Sequence, residues 1–70
     1  MSKRKVVRIA ARELKVGDVF MESGLMAARI LRIRVYATVV TASCRYTSPA
    51  DTEPAWPQHF AATERVWKVR

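Results

Sequence analysis

Residues 25–48 read LMAARILRIRVYATVVTASCRYTS, a stretch without Gly, Pro, Asn or Asp. The stretch is rich in β-branched residues, whose side chains pack well on the pleated surface of a sheet. It is also longer than the usual strand of about 3–10 residues. We therefore predict two strands here, joined by a tight turn near residues 34–37.

A helix is the alternative for residues 25–34. Met26, Ile30 and Ile33 would share one helical face, and the segment contains good helix formers. Against a helix, Ser23-Gly24 is a weak start, and no Gly, Asn or Pro ends the segment before the β-branched run. We favour a strand, and a helix would change the fold class to α+β.

Shorter segments on either side of this stretch are also predicted to form strands. Residues 7–12 and 64–70 alternate with a period of two, as half-buried strands do. Residues 19–22 form a short strand after a Gly17-Asp18 turn signal, and residues 58–61 form a brief further one. The chain is thus predicted to be all-β, with Val7, Ile9, Val16, Val19, Ile30, Ile33, Val40 and Trp67 in its core.

Length and proline placement predict the domain organisation. All three prolines lie within residues 47–57, which are predicted to form a loop. Residues 1–5 are predicted to form a flexible basic tail, and residues 6–70 a single small domain. A domain of this size has a core that supplies only about 3–5 kcal/mol of stability. We therefore expect a homo-oligomer, or a partner that buries further apolar surface.

A turn and three strand segments carry a family resemblance. They are Leu14-Lys15-Val16-Gly17-Asp18-Val19-Phe20, then Ser23-Gly24, then Ala28-Arg29-Ile30-Leu31-Arg32-Ile33 and Val39-Val40-Thr41. Over about half of the chain, this order resembles the opening of Src-homology-type barrels and of the KOW modules of ribosomal and transcription-elongation proteins. The glycine usual before the third KOW strand is Ala27 or Ala28 here. The resemblance implies a five- or six-stranded antiparallel barrel that binds nucleic acid or protein.

Charge is distributed unevenly along the chain. Residues 1–46 carry ten Lys or Arg and three acids, residues 47–64 carry three acids and no base, and the net charge is +7. Arg outnumbers Lys nine to four and Asn is absent, a composition typical of a GC-rich bacterial genome or of one of its phages. A folded surface that displays arginines is suited to binding a polyanion, because each neutralised phosphate releases counterions.

The candidate nucleic-acid contacts are cationic side chains and an aromatic ring on which a base can stack. They are Lys3, Arg4, Lys5, Arg8, Arg29, Arg32, Arg34, Arg45, Tyr36, Lys68 and Arg70, with Tyr46 as the alternative ring. The competing interpretation is that these charges form a solvated outer face, which keeps the domain soluble and prevents its edge strands from pairing with other chains. Trp56 and Pro57, within the predicted loop, are the candidate contacts with a protein partner.

The sequence does not indicate catalytic chemistry. Cys44 is the only cysteine and His59 the only histidine, so an intrachain disulfide and a cysteine-based zinc site are both excluded. We interpret Cys44 as a small buried thiol. The two glycines do not form a phosphate-binding loop. We expect a protein that is not an enzyme and that has no metal or other cofactor.

The first residues have the charge of a signal peptide but not its apolar segment. Residues 1–5 are basic, yet Arg8, Arg12 and Glu13 interrupt the apolar stretch of about 7–15 residues that should follow. No segment approaches the roughly 20 apolar residues that span a membrane. We therefore expect a cytoplasmic protein that does not associate with membranes.

Three functions fit these features. The first is non-specific binding of DNA or RNA, with arginines on strands contacting the phosphate backbone. The second is a protein-interaction module, for example a phage protein that docks on a host protein through the loop that carries Trp56. The third is a small structural protein that assembles through its strand edges. We favour the first because of the sign and the placement of the charge.

Overall fold

Six strands and one 3-10 turn make up the described part of the chain. The computed structural model describes residues 5–22, 26–47 and 54–70. The strands are β1 (Val6–Ala10), β2 (Val19–Met21), β3 (Ala27–Val35), β4 (Val39–Tyr46), β5 (Trp56–Ala61) and β6 (Arg65–Val69), and the 3-10 turn is Ala11–Glu13. The strand pairings are antiparallel. The predicted all-β class is confirmed, and no α-helix occurs within these described ranges.

The stretch that decides the fold is a β-hairpin. Strand β3 pairs with β4 along most of its length, from Ala28 opposite Tyr46 to Val35 opposite Val40. The Tyr36 N–H donates to the Val39 carbonyl at 2.8 Å, which closes the turn between the two strands. The strand predicted within residues 25–34 is confirmed from Ala27 onward, Leu25 lies outside the described ranges, and the turn predicted near residues 34–37 is confirmed at residues 36–38.

Strand β5 begins inside the predicted loop of residues 47–57. Trp56 and Pro57 are its first two residues, and residues 48–53 lie outside the described ranges. Most of the predicted tail, residues 1–4, also lies outside them. Lys5 is attached to the sheet edge, because its carbonyl accepts a hydrogen bond from the Arg70 N–H at 2.7 Å.

The six strands form one sheet, in the order β1-β6-β2-β3-β4-β5. Strands β1 and β5 are its two edges and do not pair with each other in the described ranges, so the sheet is not closed into the expected barrel. The sequence of β5 supplies a physical reason, because Pro57 has no N–H to contribute to a further ladder. A groove of about 160 Å³ is lined mainly by residues of β2, β5 and β6.

The sheet curls strongly although it does not close. Phe20 in β2 and Phe60 in β5 are three strands apart, which is about 14 Å in a flat sheet with the usual strand spacing. Their ring centroids are only 5.5 Å apart, in an edge-to-face arrangement. A main-chain hydrogen bond joins the two edges at one end of the curled sheet, since the Arg12 N–H, shortly after β1, donates to the Ala62 carbonyl, just after β5, at 3.3 Å.

The core lies on the concave side of this curled sheet, with Phe20 and Phe60 at its centre. It consists of Ala11, Leu14, Phe20, Ala28, Ile30, Val40, Ala42, Cys44, Phe60, Ala62 and Val66. The predictions for Ile30 and Val40 are confirmed, since both are fully buried. Ile9 and Ile33 are partly buried and pack against the core, as predicted. The predictions for Val7 and Val19 are wrong, since both are only half-buried and neither packs against the core, and Val19 lies on the outer side opposite Arg29.

Two further core predictions, for Val16 and Trp67, are also wrong. Val16 is 63% exposed, because Val16 and Gly17 are the two central residues of the turn between Lys15 and Asp18. Trp67 is 49% exposed, because Val66 is the residue of β6 that faces the core, and adjacent strand residues face opposite sides. Phe20 and Phe60, the two largest side chains of the core, were not among the predicted core residues.

The predicted turn at Gly17-Asp18 is confirmed and positions the start of β2. Gly17 has a φ of +92°, a conformation that side chains with a Cβ rarely adopt. The Asp18 N–H donates to the Lys15 carbonyl at 3.0 Å, and the Lys15 N–H donates to the Asp18 carboxylate at 2.8 Å. The Gly17 N–H donates to the Ile30 carbonyl at 2.8 Å, which fixes the turn against β3.

We expect Phe20→Ala to remove most of the stability of the domain. Loss of a buried phenylalanine side chain typically destabilises a protein by about 3–5 kcal/mol, and a core of this size supplies a similar total. Urea denaturation followed by circular dichroism would measure the change in unfolding free energy. Val16→Ala is the control, and its expected effect is within about 0.5 kcal/mol because the side chain is exposed. Equal midpoints for the two variants would contradict this account of the core.

Candidate nucleic-acid interface

A β-bulge in β3 brings three arginines to one face of the sheet. Ile30 lies opposite Cys44 and Arg32 lies opposite Ser43, so Leu31 is an extra residue in β3. Residues three apart on a regular strand face opposite sides, but one inserted residue restores a common side. Arg29 therefore lies on the same side as Arg32 and Arg34, away from the core. All three side chains are exposed.

The register across the sheet extends this surface to β4. Arg29 lies directly opposite Arg45, and directly opposed residues share a face of the sheet. Arg45 is half-buried. We call the surface that carries Arg29, Arg32, Arg34 and Arg45 the arginine face.

A groove of about 300 Å³ lies where the arginine face meets β5. Arg32 and Arg34 line one side, and Ala55 and Pro57 line the other. Neutral residues, including Ser43, lie between them. The groove therefore combines two guanidinium groups with a small hydroxyl donor, a set suited to phosphate oxygens.

Tyr36 lies at the end of the arginine face, and Tyr46 does not belong to that face. The hydrogen bond from Tyr36 to Val39 continues the β3–β4 ladder, so alternation places the Tyr36 side chain on the same side as Arg34. The ring is 50% exposed. Tyr46 lies opposite the buried Ala28 and packs against the core instead.

The remaining predicted cations are divided between the two sides of the sheet. Arg8 lies on the outward side of β1, with its guanidinium carbon 5.6 Å from the centroid of the Trp67 ring. Lys68 lies opposite the buried Phe20, on the core side, and its Nζ is 3.5 Å from an Asp18 carboxylate oxygen. The structure thus does not bring Lys68 together with the arginine face. Lys3 and Arg4 lie outside the described residues.

Lys5 and Arg70 lie beside each other at one end of the β1–β6 pair. The main-chain hydrogen bond between them fixes their backbones, and both residues are exposed. Lys5 precedes β1 and Arg70 follows β6, one position beyond the outward-facing pair Val6 and Val69. Alternation therefore places both residues on the same side as Lys68, and the structure does not bring them together with the arginine face.

Trp56 and Pro57, the predicted protein contacts, lie on opposite sides of β5. Trp56 is half-buried, and its ring centroid is 4.4 Å from that of Tyr46. Its indole N–H donates to the Gln58 side-chain oxygen at 3.0 Å. Pro57 is exposed and lines the groove. Among the described residues, Trp67 is thus the more exposed of the two tryptophans, which the sequence analysis did not predict.

Cys44 is a buried thiol, as predicted. Its side chain is fully buried in the core, and desolvation raises the pKa of the Cys44 thiol from 9.0 to about 11. His59 is exposed and lies opposite Thr41. Thr41 and Cys44 are three residues apart on β4, so the side chains of His59 and Cys44 lie on opposite faces of the sheet. Within residues 5–22, 26–47 and 54–70, no three His, Cys, Asp or Glu side chains are grouped in a way that could hold a metal ion.

Comparisons with family models, curated proteins and solved structures found no match to this chain. The resemblance to Src-homology-type barrels and KOW modules therefore stays a prediction, as do the phage origin, the homo-oligomer and the cytoplasmic location. No helix in the part of the chain that the structure describes has the length and apolar character required to cross a membrane.

We expect Cys44 to be unreactive in the folded protein and to make stability fall at high pH. Since the folded thiol holds its proton more tightly than the unfolded one, its contribution is fully present below pH 9 and is lost as the pH rises towards 11. At pH 8, a thiol reagent should modify the protein only after urea is added. Cys44→Ala is the control for the pH series, and its unfolding free energy should fall less between pH 9 and 11. Rapid modification of the native protein would contradict the buried position.

Proposed function

We propose that this protein binds nucleic acid through the arginine face without sequence preference. The observation that carries the proposal is the bulge at Leu31, which places Arg29, Arg32 and Arg34 on one exposed surface. A guanidinium group presents a planar fork of donors that matches two phosphate oxygens. Three such groups in a line along one strand suit a phosphate backbone better than they suit a single small anion.

The charges on this face support the proposal further. Among the described residues, no ion pair engages Arg29, Arg32 or Arg34, whereas Lys68 is paired with Asp18 on the core side. The three guanidinium groups therefore remain available to an external anion. The excess of positive charge over the whole chain, +7, favours association with a polyanion at a distance as well.

The absence of sequence preference follows from the kind of contact. Contacts with phosphate fix the position of a protein on nucleic acid but do not distinguish one base from another. A sheet face that presents arginines in a shallow groove reaches the backbone before it reaches the edges of paired bases. Tyr36, at the end of the face, adds a ring on which any base can stack.

We expect Arg32→Ala/Arg34→Ala to weaken binding to every nucleic-acid sequence by a similar factor. If both side chains neutralise phosphates, the slope of log K against log salt should fall by about 1.4–1.8. Fluorescence anisotropy with labelled DNA and RNA of several sequences, over a salt series, would measure both quantities.

The matched control is Arg12→Ala/Lys15→Ala. It removes the same number of positive charges, from the 3-10 turn and from the loop before β2, away from the arginine face. The control should keep most of the wild-type affinity and salt slope. If the two double variants bind equally, the arginine face is not the site. If the wild-type protein does not bind at low salt, the proposed function is wrong.

A further inference from the structure

Trp67 is an exposed aromatic side chain on the same side of the sheet as the arginine face. Val69 lies opposite Val19 in β2, and Val19 lies opposite Arg29 in β3, so these three residues share one side. Trp67 is two residues from Val69 on β6 and therefore faces the same way. About half of its surface, 49%, is exposed.

Trp67 and Arg29 are close enough for one short nucleic-acid segment to contact both. Strand β2 alone separates β6 from β3, and Trp67 lies two residues along β6 from Val69, which is level with Arg29, so Trp67 and Arg29 are about 12 Å apart in a flat sheet. The residues between them on this side include Val19 and Val69, both half-buried. The surface thus passes from an indole ring, over small apolar side chains, to a row of guanidinium groups.

Arg8 places a positive charge beside the indole. Its guanidinium carbon is 5.6 Å from the centroid of the Trp67 ring, within the range of a cation–π interaction. A nucleotide whose base stacks on Trp67 therefore has a guanidinium group within reach of its phosphate. The pair combines the two contacts, stacking and charge, by which proteins hold single strands.

Two exposed rings lie at opposite ends of the same row of arginines. Trp67 is beyond Arg29, at the β2 end, and Tyr36 is beyond Arg34, at the turn between β3 and β4. Arg29 and Arg34 lie opposite Arg45 and Thr41, which are four residues apart on β4, so the two arginines are separated by about 13 Å at about 3.3 Å per residue. The ends of this surface can hold bases, and its middle can hold phosphates.

We infer that the arginine face together with Trp67 and Arg8 is a site for single-stranded nucleic acid. The inference rests on the proposed function and goes further, because it specifies the strandedness of the ligand. Phosphates are equally present in duplexes and in single strands, so Arg29, Arg32 and Arg34 do not discriminate between them. Base faces are covered by their neighbours in a duplex and are open in a single strand, so only an unpaired base can stack on Trp67.

The test compares a labelled 12-nucleotide single strand with the corresponding 12-base-pair duplex, at one low salt concentration. The wild-type protein should bind the single strand more tightly. Trp67→Leu, which keeps apolar bulk but removes the ring, should weaken single-strand binding by about 5- to 150-fold, the range that corresponds to loss of one stacked base. Its affinity for the duplex should be unchanged. Trp67→Phe, which keeps a ring, should retain most of the single-strand affinity.

Val6→Ala is the matched control for Trp67→Leu. Val6 lies opposite Val69 on the same side of the sheet and is partly exposed, but it has no ring on which a base can stack. Its single-strand affinity should equal that of the wild-type protein. Circular dichroism melting of each variant would show that the fold is kept.

A spectroscopic measurement reports on stacking directly. Addition of the single strand should quench the tryptophan fluorescence of the wild-type protein and should not quench that of Trp67→Phe, in which Trp56 remains packed beside Tyr46. Equal affinity of the wild-type protein for single strand and duplex, or equal single-strand affinity of Trp67→Leu and Val6→Ala, would overturn the inference. In either case, a loss of binding in Arg32→Ala/Arg34→Ala would still support the proposed function.

Discussion

One extra residue in β3, Leu31, determines both sides of the sheet. Ile30 and Ile33 are three apart and both face the core, while Arg29 and Arg32 are three apart and both face outward. A regular strand satisfies neither relation, since its faces alternate with a period of two. With Leu31 as the bulged residue, the sequence RI-L-RIR keeps its apolar residues inside and its arginines outside. The core and the candidate interface therefore depend on the same irregularity.

The curvature of the sheet depends on alternation of large and small side chains on its inner side. Phe20 lies opposite Ala28, and Phe60 lies opposite Val40, whose neighbour on the same face is Ala42. Small residues between the two rings allow β2 and β5 to approach until the rings touch. A flat arrangement would leave both phenylalanines exposed on one side. Burial of these rings therefore stabilises the curled sheet, although β1 and β5 do not pair in the described ranges.

Local sequence patterns predicted most of the strands and turns. They did not always predict which face of a strand is buried. The β-branched run predicted the hairpin, and the glycine at 17 predicted the turn, because each depends on neighbouring residues alone. The spacing of Ile30 and Ile33 fits a helix as well as a bulged strand, and only the pairing with β4 distinguishes them. In β6, Val66 and Trp67 are both apolar, and the register with β2 decides which one faces the core. The prediction for Trp67 was wrong for that reason.

The candidate site, like the fold, could be predicted only in part from local sequence patterns. Composition indicated that arginines on strands were the relevant cations, but it could not separate Arg29, Arg32 and Arg34 from Lys68. That separation requires the register of β6 against β2, which places Lys68 beside Phe20 on the core side. The exposed ring of Trp67 was missed for the same reason, because the side on which it lies is set by distant residues and not by its neighbours in the sequence.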